Sequence, residues 1–382
     1  MRIAHVCKHF FPRITGVTAY VESLCREQMN CGHTVAVASF GEPVRAPEAD
    51  GIRLFRAREP DASTLAAHIA GFSPDIIHAH SIWETTDVAV RAAKTLGRPY
   101  VVTTHGTWRF LALTGAYGRL SGRLRLGVWR RSVTWPRILR GAGAVIALNI
   151  REEADARAAK ADYSRIYRIP NAVDTARFAP GVQGEMRERL GWPGGATALF
   201  VGNMQAQKGV FTALEAARLR GADMVSRWVF CGDGPDAQAA GARAKALGLS
   251  GRTLFLGRVS REKMPELYQA ADMVVLPSRE EAFSTVFLEA MASGLPCVGA
   301  VGGGTAEIID DCETGFVVAP DDPKALASAV GWLASHPREA ASMGRAGRGK
   351  ALREFAWPKV AARIERAYHG ALGTGGEGHG GL

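Results

Sequence analysis

Residues 275–294 read VLPSREEAFSTVFLEAMASG. A short apolar run ends at Pro277 and Ser278, a polar loop follows, and from about Ser284 the apolar positions recur at helical spacing until Gly294. The segment is therefore a strand, a loop and a helix, with Glu281 in the loop and Glu289 about one and a half turns into the helix. Both carboxylates can point at one place if the loop folds back over the helix N-terminus. An unpaired carboxylate among apolar neighbours costs several kcal/mol, so the pair implies partners. Vicinal sugar hydroxyls suit a bidentate acceptor of this kind. Taken alone, the pair is explained about equally well by solvated acids on a surface helix, and for Glu280 that plain explanation is the better one.

The same rhythm of β-branched strand and amphipathic helix runs through the whole chain. RIAHV, TVAVAS, DIIHAH, YVVTTH, AVIALN and YRIPN are the strands of a first half, with helices near 17–31 and 84–96. After NAVDTARFAPG it begins again with ATALFVGNM, WVFCGDG, TLFLGRV, MVVLPS, PCVGA and GFVVA, interleaved with helices near 209–220, 235–248, 261–271 and 284–293. This is the pattern of βαβ units, predicting an α/β protein of two Rossmann-like parallel-sheet domains. The expected division is 1–175, 176–355, a C-terminal helix at 356–372 packing back on the first domain, and a tail at 373–382 too glycine-rich to fold. Ligands bind outside the carboxyl ends of parallel strands, so two sheets facing a central cleft would share one site.

Of 382 residues, 47% are hydrophobic and 22% charged, the balance of a soluble globular protein. Apolar runs stop at strand length, well short of the roughly 20 residues that span a bilayer. The start MRIAHVCKHFFP lacks a leader's apolar core and cleavage site, which predicts a cytoplasmic protein. Cys7, Cys25, Cys31, Cys231, Cys297 and Cys312 show neither a CxxC pair nor metal spacing and are expected as reduced core thiols. Residues 1–180 hold 25 Lys+Arg against 15 Asp+Glu, so the whole net charge of +10 lies in the first half.

Two further elements in the second half favour anions. Gly302, Gly303 and Gly304 stand between a strand and a helix start, where backbone amides can cradle phosphate. Lys208 follows a strand in a glycine-bearing loop, a fitting point charge for a diphosphate, although a lone lysine is usually solvated. The glycine triplet does not match GxGxxG with a βαβ unit and a ribose acid at the proper offset, GxxxxGK[ST] is absent, and no DxD pair or His/Asp/Glu cluster with metal spacing occurs. Leaving-group charge would then fall to Lys208 and helix-end amides, with no metal or other cofactor required.

With E-x7-E from Glu281 to Glu289 followed by LEAMASGLPCV, the GGGTAEII loop, FLGRVSREKMPELYQAAD, PNAVD, the histidine of VVTTHG and an early glycine before a helix ending in GHTVAV, the chain resembles the family 4 glycosyltransferases of GT-B architecture over about residues 3–370. The resemblance implies retaining, metal-independent transfer from a nucleotide-sugar. UDP-sugars are expected first and GDP-sugars next. It places Glu289 on the donor ribose and Glu281 on the transferred sugar, with help from Phe283, Ser284 and Thr285. It also puts Lys208, Gly202 and Asn203 at the diphosphate and Gly257 to Val259 at the base. His105, Lys208 and Glu281 would be the catalytic set. Departures occur at Asn203, where the family has an Arg in a G-R-L pattern, at Ala282 and Ser284 after the first glutamate, at Ala172 in N-G-V-D, and at Thr15-Gly16 in place of Gly-Gly.

The first half would hold the acceptor through Gly16, His80, His105, Trp108 and Arg109. His105 ends a strand and should reach the reacting face, while His78 and His80 end another and are expected to be mainly structural, His80 being the nearer to the acceptor. Between Val88 and Arg151 no acid occurs, and eight arginines from Arg109 to Arg140 fall among Trp108, Phe110, Trp129 and Trp135. A solvated basic face is the plain reading. Contact of residues 108–140 with the anionic inner face of a membrane, at about 1 kcal/mol per cation, is narrowly favoured, and nucleic acid is not expected because no binding module accompanies the charge. The expected acceptor is a glycan or lipid-linked sugar of bacterial cell-surface polysaccharide, lipopolysaccharide or other glycoconjugate synthesis. A small soluble molecule, a catalytically weak homologue acting as a binding subunit, and an epimerase of the same architecture are the alternatives.

Overall fold

The computed structural model describes residues 1–10, 15–40, 51–80, 84–106, 134–192 and 194–374. Two compact units divide the chain: Met1–Pro170 with Trp357–Leu382, and Asn171–Ala356.

The first unit is built on a seven-stranded parallel sheet in the order β3-β2-β1-β4-β5-β6-β7. The strands are β1 (Arg2–Cys7), β2 (Thr34–Phe40), β3 (Arg53–Ala57), β4 (Ile76–His80), β5 (Tyr100–Thr103), β6 (Ala144–Ala147) and β7 (Ile166–Arg168). Of these, β3 has no counterpart among the predicted strands. Its sequence RLFRA mixes arginines with apolar residues because it is an edge strand, only partly buried, and so lacks the continuous apolar run of β4 or β6. One face of the sheet packs on Leu65, Ile69, Phe72, Val88 and Ala92 and on the buried Trp135, Ile138 and Leu139. The other meets the helix Gly16–Asn30, which Thr15 caps, and the C-terminal helix Trp357–Leu372, whose Ala371 lies against Gly143.

The second unit carries a six-stranded parallel sheet in the order β10-β9-β8-β11-β12-β13. These are β8 (Ala196–Val201), β9 (Val225–Cys231), β10 (Thr253–Gly257), β11 (Met273–Leu276), β12 (Cys297–Ala300) and β13 (Gly315–Val318). From β8 the chain winds one way to β10 and from β11 the other way to β13. The β8/β11 boundary is thus a topological switch point, where loops after adjacent strands diverge and leave a crevice. Residues 275–294 form the expected β11, loop and helix, the helix being Thr285–Ala292.

All six cysteines are free thiols, four of them buried. Cys31 and Cys312 are exposed, which corrects the expectation that all six fill core positions: Cys31 caps the end of a surface helix and Cys312 lies in a turn with φ 62°. No helix among the described residues is long and apolar enough to cross a membrane.

Candidate active site

At the switch point of the second sheet, the loop after β8 is stitched to the loop after β11. Arg279 N–H donates to the Gln207 carbonyl at 3.0 Å and Ser278 Oγ to the same oxygen at 3.2 Å. This approach depends on Gly209, at φ 78°, where a Cβ would fall 2.2 Å from the Pro277 carbonyl oxygen. Lys208 is thereby brought to Glu281, Nζ to Oε1 at 2.6 Å, across 73 residues of sequence.

Glu281 is held from its other side by the glycine run. Gly304 N–H donates to the Glu281 carbonyl at 2.8 Å, and at Gly303, φ 51°, a Cβ would stand 1.7 Å from that oxygen. The triplet therefore serves the close approach of two backbones, and one of its three amides is engaged by Glu281. The helix after it, Thr305–Ile308, is only 4 residues long.

Glu289 lies on the helix Thr285–Ala292 and accepts a hydrogen bond from the Tyr268 hydroxyl at 2.7 Å. Burial holds its carboxyl above the usual carboxylate value, opposed by the Tyr268 hydrogen bond and by the Arg261 and Arg177 charges. Ser284 is the N-cap of this helix but makes no side-chain cap bond, so the first-turn amides are not closed by it. Buried Phe283 offers its carbonyl to Asn171 Nδ2 at 2.7 Å, while Asn171 Oδ1 is buried without a partner among the described residues. Neither Ala172 nor Ala282 has a positive φ, and Ser284 is at φ −70°, so loss of the family's glycines there strains nothing. Gly202 follows β8 with an exposed Asn203, whose Oδ1 occupies the place a Cβ at Gly234 would take. Gly257, at φ 64°, ends β10 and passes its carbonyl to Gly232 N–H at 2.8 Å, with Val259 two residues on.

In the first unit His105 follows β5 in the left-handed region, φ 49°, a conformation costly for a residue with a Cβ. It is clamped by a residue that sequence reading missed. Glu152 Oε2 accepts from the Thr104 hydroxyl and from Leu148 N–H at 2.8 Å, and the same carboxylate accepts from Gly106 N–H, so the residues on both sides of His105 are tied to one buried group. The available signal was Asn149-x-x-Glu152 at the start of the helix Ile150–Ala158, a capping arrangement in which Asn149 Oδ1 accepts from Glu152 N–H at 2.9 Å.

The histidines show why period two matters. His78 and His80 share one face of β4, and His5 on β1 registers with His78. All three are fully buried. His5 Nδ1 meets His80 Nε2 at 2.9 Å, His80 Nδ1 meets His105 Nε2 at 3.2 Å, and His78 bonds Tyr368 and Thr103, both at 2.7 Å. His80 is therefore corrected from an acceptor contact to a support of His105, because it has no exposed surface and both ring nitrogens are engaged. His5, His78 and His80 lie close enough for a metal, but their six nitrogens are all committed to hydrogen bonds that ligation would break. Burial pushes His105 down to about 3 and His5 to about 4. Gly16 opens its helix exposed, and no atom lies within 4 Å of the place a Cβ would take. Trp108 and Arg109 lie outside the described residues, as do the arginines from Arg119 to Arg131 and the tail from 375. Trp135, expected as a surface anchor, is instead a core residue at 4% exposure.

Over 312 residues, 78% of this chain and 67% of the relative, the sequence is 31% identical to a D-inositol 3-phosphate glycosyltransferase of Acidothermus cellulolyticus. Residues 14–177 match the family described as Glycosyltransferase Family 4 and residues 182–350 that described as Glycosyl transferases group 1. The chain belongs to the family 4 glycosyltransferases. This glycosyltransferase is also 28% identical, over 98% of both chains, to a GDP-mannose-dependent alpha-mannosyltransferase of Mycolicibacterium smegmatis. In fold it is like sucrose-phosphate synthase from Thermosynechococcus elongatus, with a TM-score of 0.84 over 98% of this chain and 100% of that one at 21% identity. Its two parallel-sheet units are those of the GT-B glycosyltransferases.

Proposed function

We propose that this glycosyltransferase moves a sugar from a nucleoside-diphosphate donor to an acceptor hydroxyl with retention at the anomeric carbon and without a metal. One observation carries the reading: Lys208 Nζ and Glu281 Oε1 are 2.6 Å apart at the switch point of the donor-side sheet. A cation for the leaving diphosphate and an acceptor for sugar hydroxyls at one spot bracket the bond that breaks, the one between the anomeric carbon and the diphosphate oxygen. Glu289, on the same βα unit, would hold the ribose. Backbone amides from Phe283 to Thr285, leading into that helix, would stabilise developing charge together with Lys208. His105 would act at the transferred sugar. Either phosphate oxygens of the leaving group or the acceptor's surroundings take the acceptor proton, and no carboxylate is assigned as a covalent nucleophile.

The full-length resemblance to a GDP-mannose-dependent enzyme makes GDP-sugars as strong a first trial as UDP-sugars. For the acceptor, the acid-free arginine run from Arg109 to Arg140 favours an anionic or lipid-linked glycan at a membrane surface. The test is mass spectrometry of the protein after exposure to mixed UDP-, GDP-, ADP- and dTDP-sugars, followed by proton NMR of the product with and without a chelator. Retention of one nucleotide, its loss in Glu289→Ala, an unchanged anomeric configuration and indifference to the chelator are expected. Absence of any bound or hydrolysed donor overturns the reading. Sedimentation with anionic and neutral vesicles separates a membrane-surface enzyme from a freely soluble one.

A further inference from the structure

A single hydrogen-bonded chain of seven side chains crosses the interior of the first unit. It runs from Thr103 Oγ1 to His78 (2.7 Å), Tyr368 (2.7 Å), Gln28 (3.0 Å), His5 (2.7 Å), His80 (2.9 Å) and His105 (3.2 Å). Thr103, His78, His5 and His80 are fully buried, with Tyr368 and Gln28 at 1% and 4% exposure. Neither water nor a charged partner is needed to complete these contacts.

Imidazoles and hydroxyls can each donate or accept, so a chain made of them alone has no direction. Gln28 supplies one, because its donor and acceptor are different atoms. Its Oε1 faces His5 Nε2 and its Nε2 donates to the Tyr368 hydroxyl. His5 must then carry its proton on Nε2 and accept at Nδ1. His80 in turn must donate from Nε2 and accept at Nδ1, and His105 must donate from Nε2. On the other side Tyr368 donates to His78 Nδ1, and His78 Nε2–H donates to Thr103. Six contacts receive one hydrogen each from six neutral donors. A doubly protonated ring anywhere inside would place two hydrogens in one contact of about 3 Å.

We infer that Gln28, acting through His5 and His80, is a positioning residue that fixes His105 as the neutral tautomer with its proton on Nε2 and a lone pair on Nδ1. His105 thus offers an acceptor, not an acid, through its second nitrogen. The functional meaning of this tautomer rests on the reading of His105 as a group at the transferred sugar, where such a nitrogen would accept from a sugar hydroxyl.

The test is the ring-nitrogen spectrum of 15N-histidine-labelled full-length protein, each ring assigned by single substitution. It needs no substrate, so its result is independent of whether the proposed chemistry holds. Wild-type His5, His78, His80 and His105 are expected to show the Nε2–H pattern at neutral pH. In Gln28→Met, which keeps the shape and removes both amide atoms, His105 is expected to move to averaged shifts of mixed tautomers. A wild-type His105 protonated on Nδ1, or a Gln28→Met spectrum identical to wild type, overturns the inference. Should Gln28→Met fail to fold, the wild-type spectrum and Tyr368→Phe decide. The latter deletes one hydroxyl and should release His78 from its Nε2–H form; an unmoved His78 there counts against the chain.

Discussion

Lys208 and Glu281, 73 residues apart in sequence, meet at 2.6 Å because Gly209 lets their two loops share backbone hydrogen bonds. The Lys208 side chain is 30% exposed and that of Glu281 11%, so the cation remains within reach of a ligand. Lys208→Ala is therefore expected to lower kcat by about 100- to 1,000-fold, the usual effect of removing one charge-stabilising group from an active site, with a lower thermal midpoint from the Glu281 carboxylate left without its partner but a protein that still folds. A loss of folding with no kinetic defect in the remaining protein would point to a structural ion pair instead.

Gly303 makes a sharper structural prediction. A methyl group there meets the Glu281 carbonyl oxygen at 1.7 Å in a backbone with φ 51°. Gly303→Ala should cost about 2 kcal/mol or more in urea unfolding and displace Glu281, weakening donor binding with Lys208 still in place. Unchanged stability would mean that the glycine loop does not rest on Glu281 in solution.

Glu289 gives a pH dependence. Burial raises its carboxyl, and the Tyr268 hydroxyl at 2.7 Å favours the charged form. Donor affinity that needs the carboxylate should thus fall as pH drops through the carboxyl's raised value. Tyr268→Phe removes a stabilising donor, so this acidic limb should move to higher pH. Binding isotherms across the acidic range check the direction, and a shift to lower pH would contradict the assignment.

What the sequence revealed follows from where the interactions lie. The placement of Glu281 in a loop and Glu289 on the helix after it was legible because they share one strand-loop-helix segment, and that of Lys208 because it follows a strand. Glu152, Gln28 and Tyr368 were not, since their roles depend on distant partners, Gln28 and Tyr368 themselves being 340 residues apart. His80 looked like a contact for an acceptor because its strand-end position is visible in sequence, whereas the two histidines that use up its ring nitrogens are not. The edge strand β3 escaped notice for a related reason: half-buried at the rim, it carries arginines that break the apolar pattern.

The same histidines make the first unit acid-sensitive. Burial lowers all four rings, His105 to about 3, His5 to about 4, and His78 and His80 well below their ordinary value. The unfolded chain binds a proton on each near pH 6.5, so below that value it holds more protons than the folded chain. Stability is full above about 6.5 and declines as pH falls toward the folded values, by about 1.4 kcal/mol per pH unit for each ring. Glu152, raised by burial, acts in the opposite sense, but with one proton against four. Urea midpoints should drop steeply between about pH 7 and about pH 5. A flat profile would show that the rings are protonated in the folded protein.

Asn203 stands where the family resemblance calls for an arginine beside the diphosphate. It is exposed, and its Oδ1 already fills the space over Gly234, so a longer side chain at 203 has solvent to extend into. If the proposed diphosphate position holds, a guanidinium there would add a charge-assisted, bidentate contact to the leaving group, worth on the order of 2 to 4 kcal/mol in a dry site and less in a wet one. If Lys208 and helix amides already stabilise the leaving group, as proposed, Asn203→Arg should tighten the nucleotide and raise kcat by no more than about tenfold, with the same product. A rise from almost no turnover to ordinary turnover would instead identify the natural protein as a weakened member of its family that binds sugar nucleotides without using them. Steady-state kinetics of the two proteins on one donor, with the nucleotide dissociation constant measured in parallel, separates these outcomes.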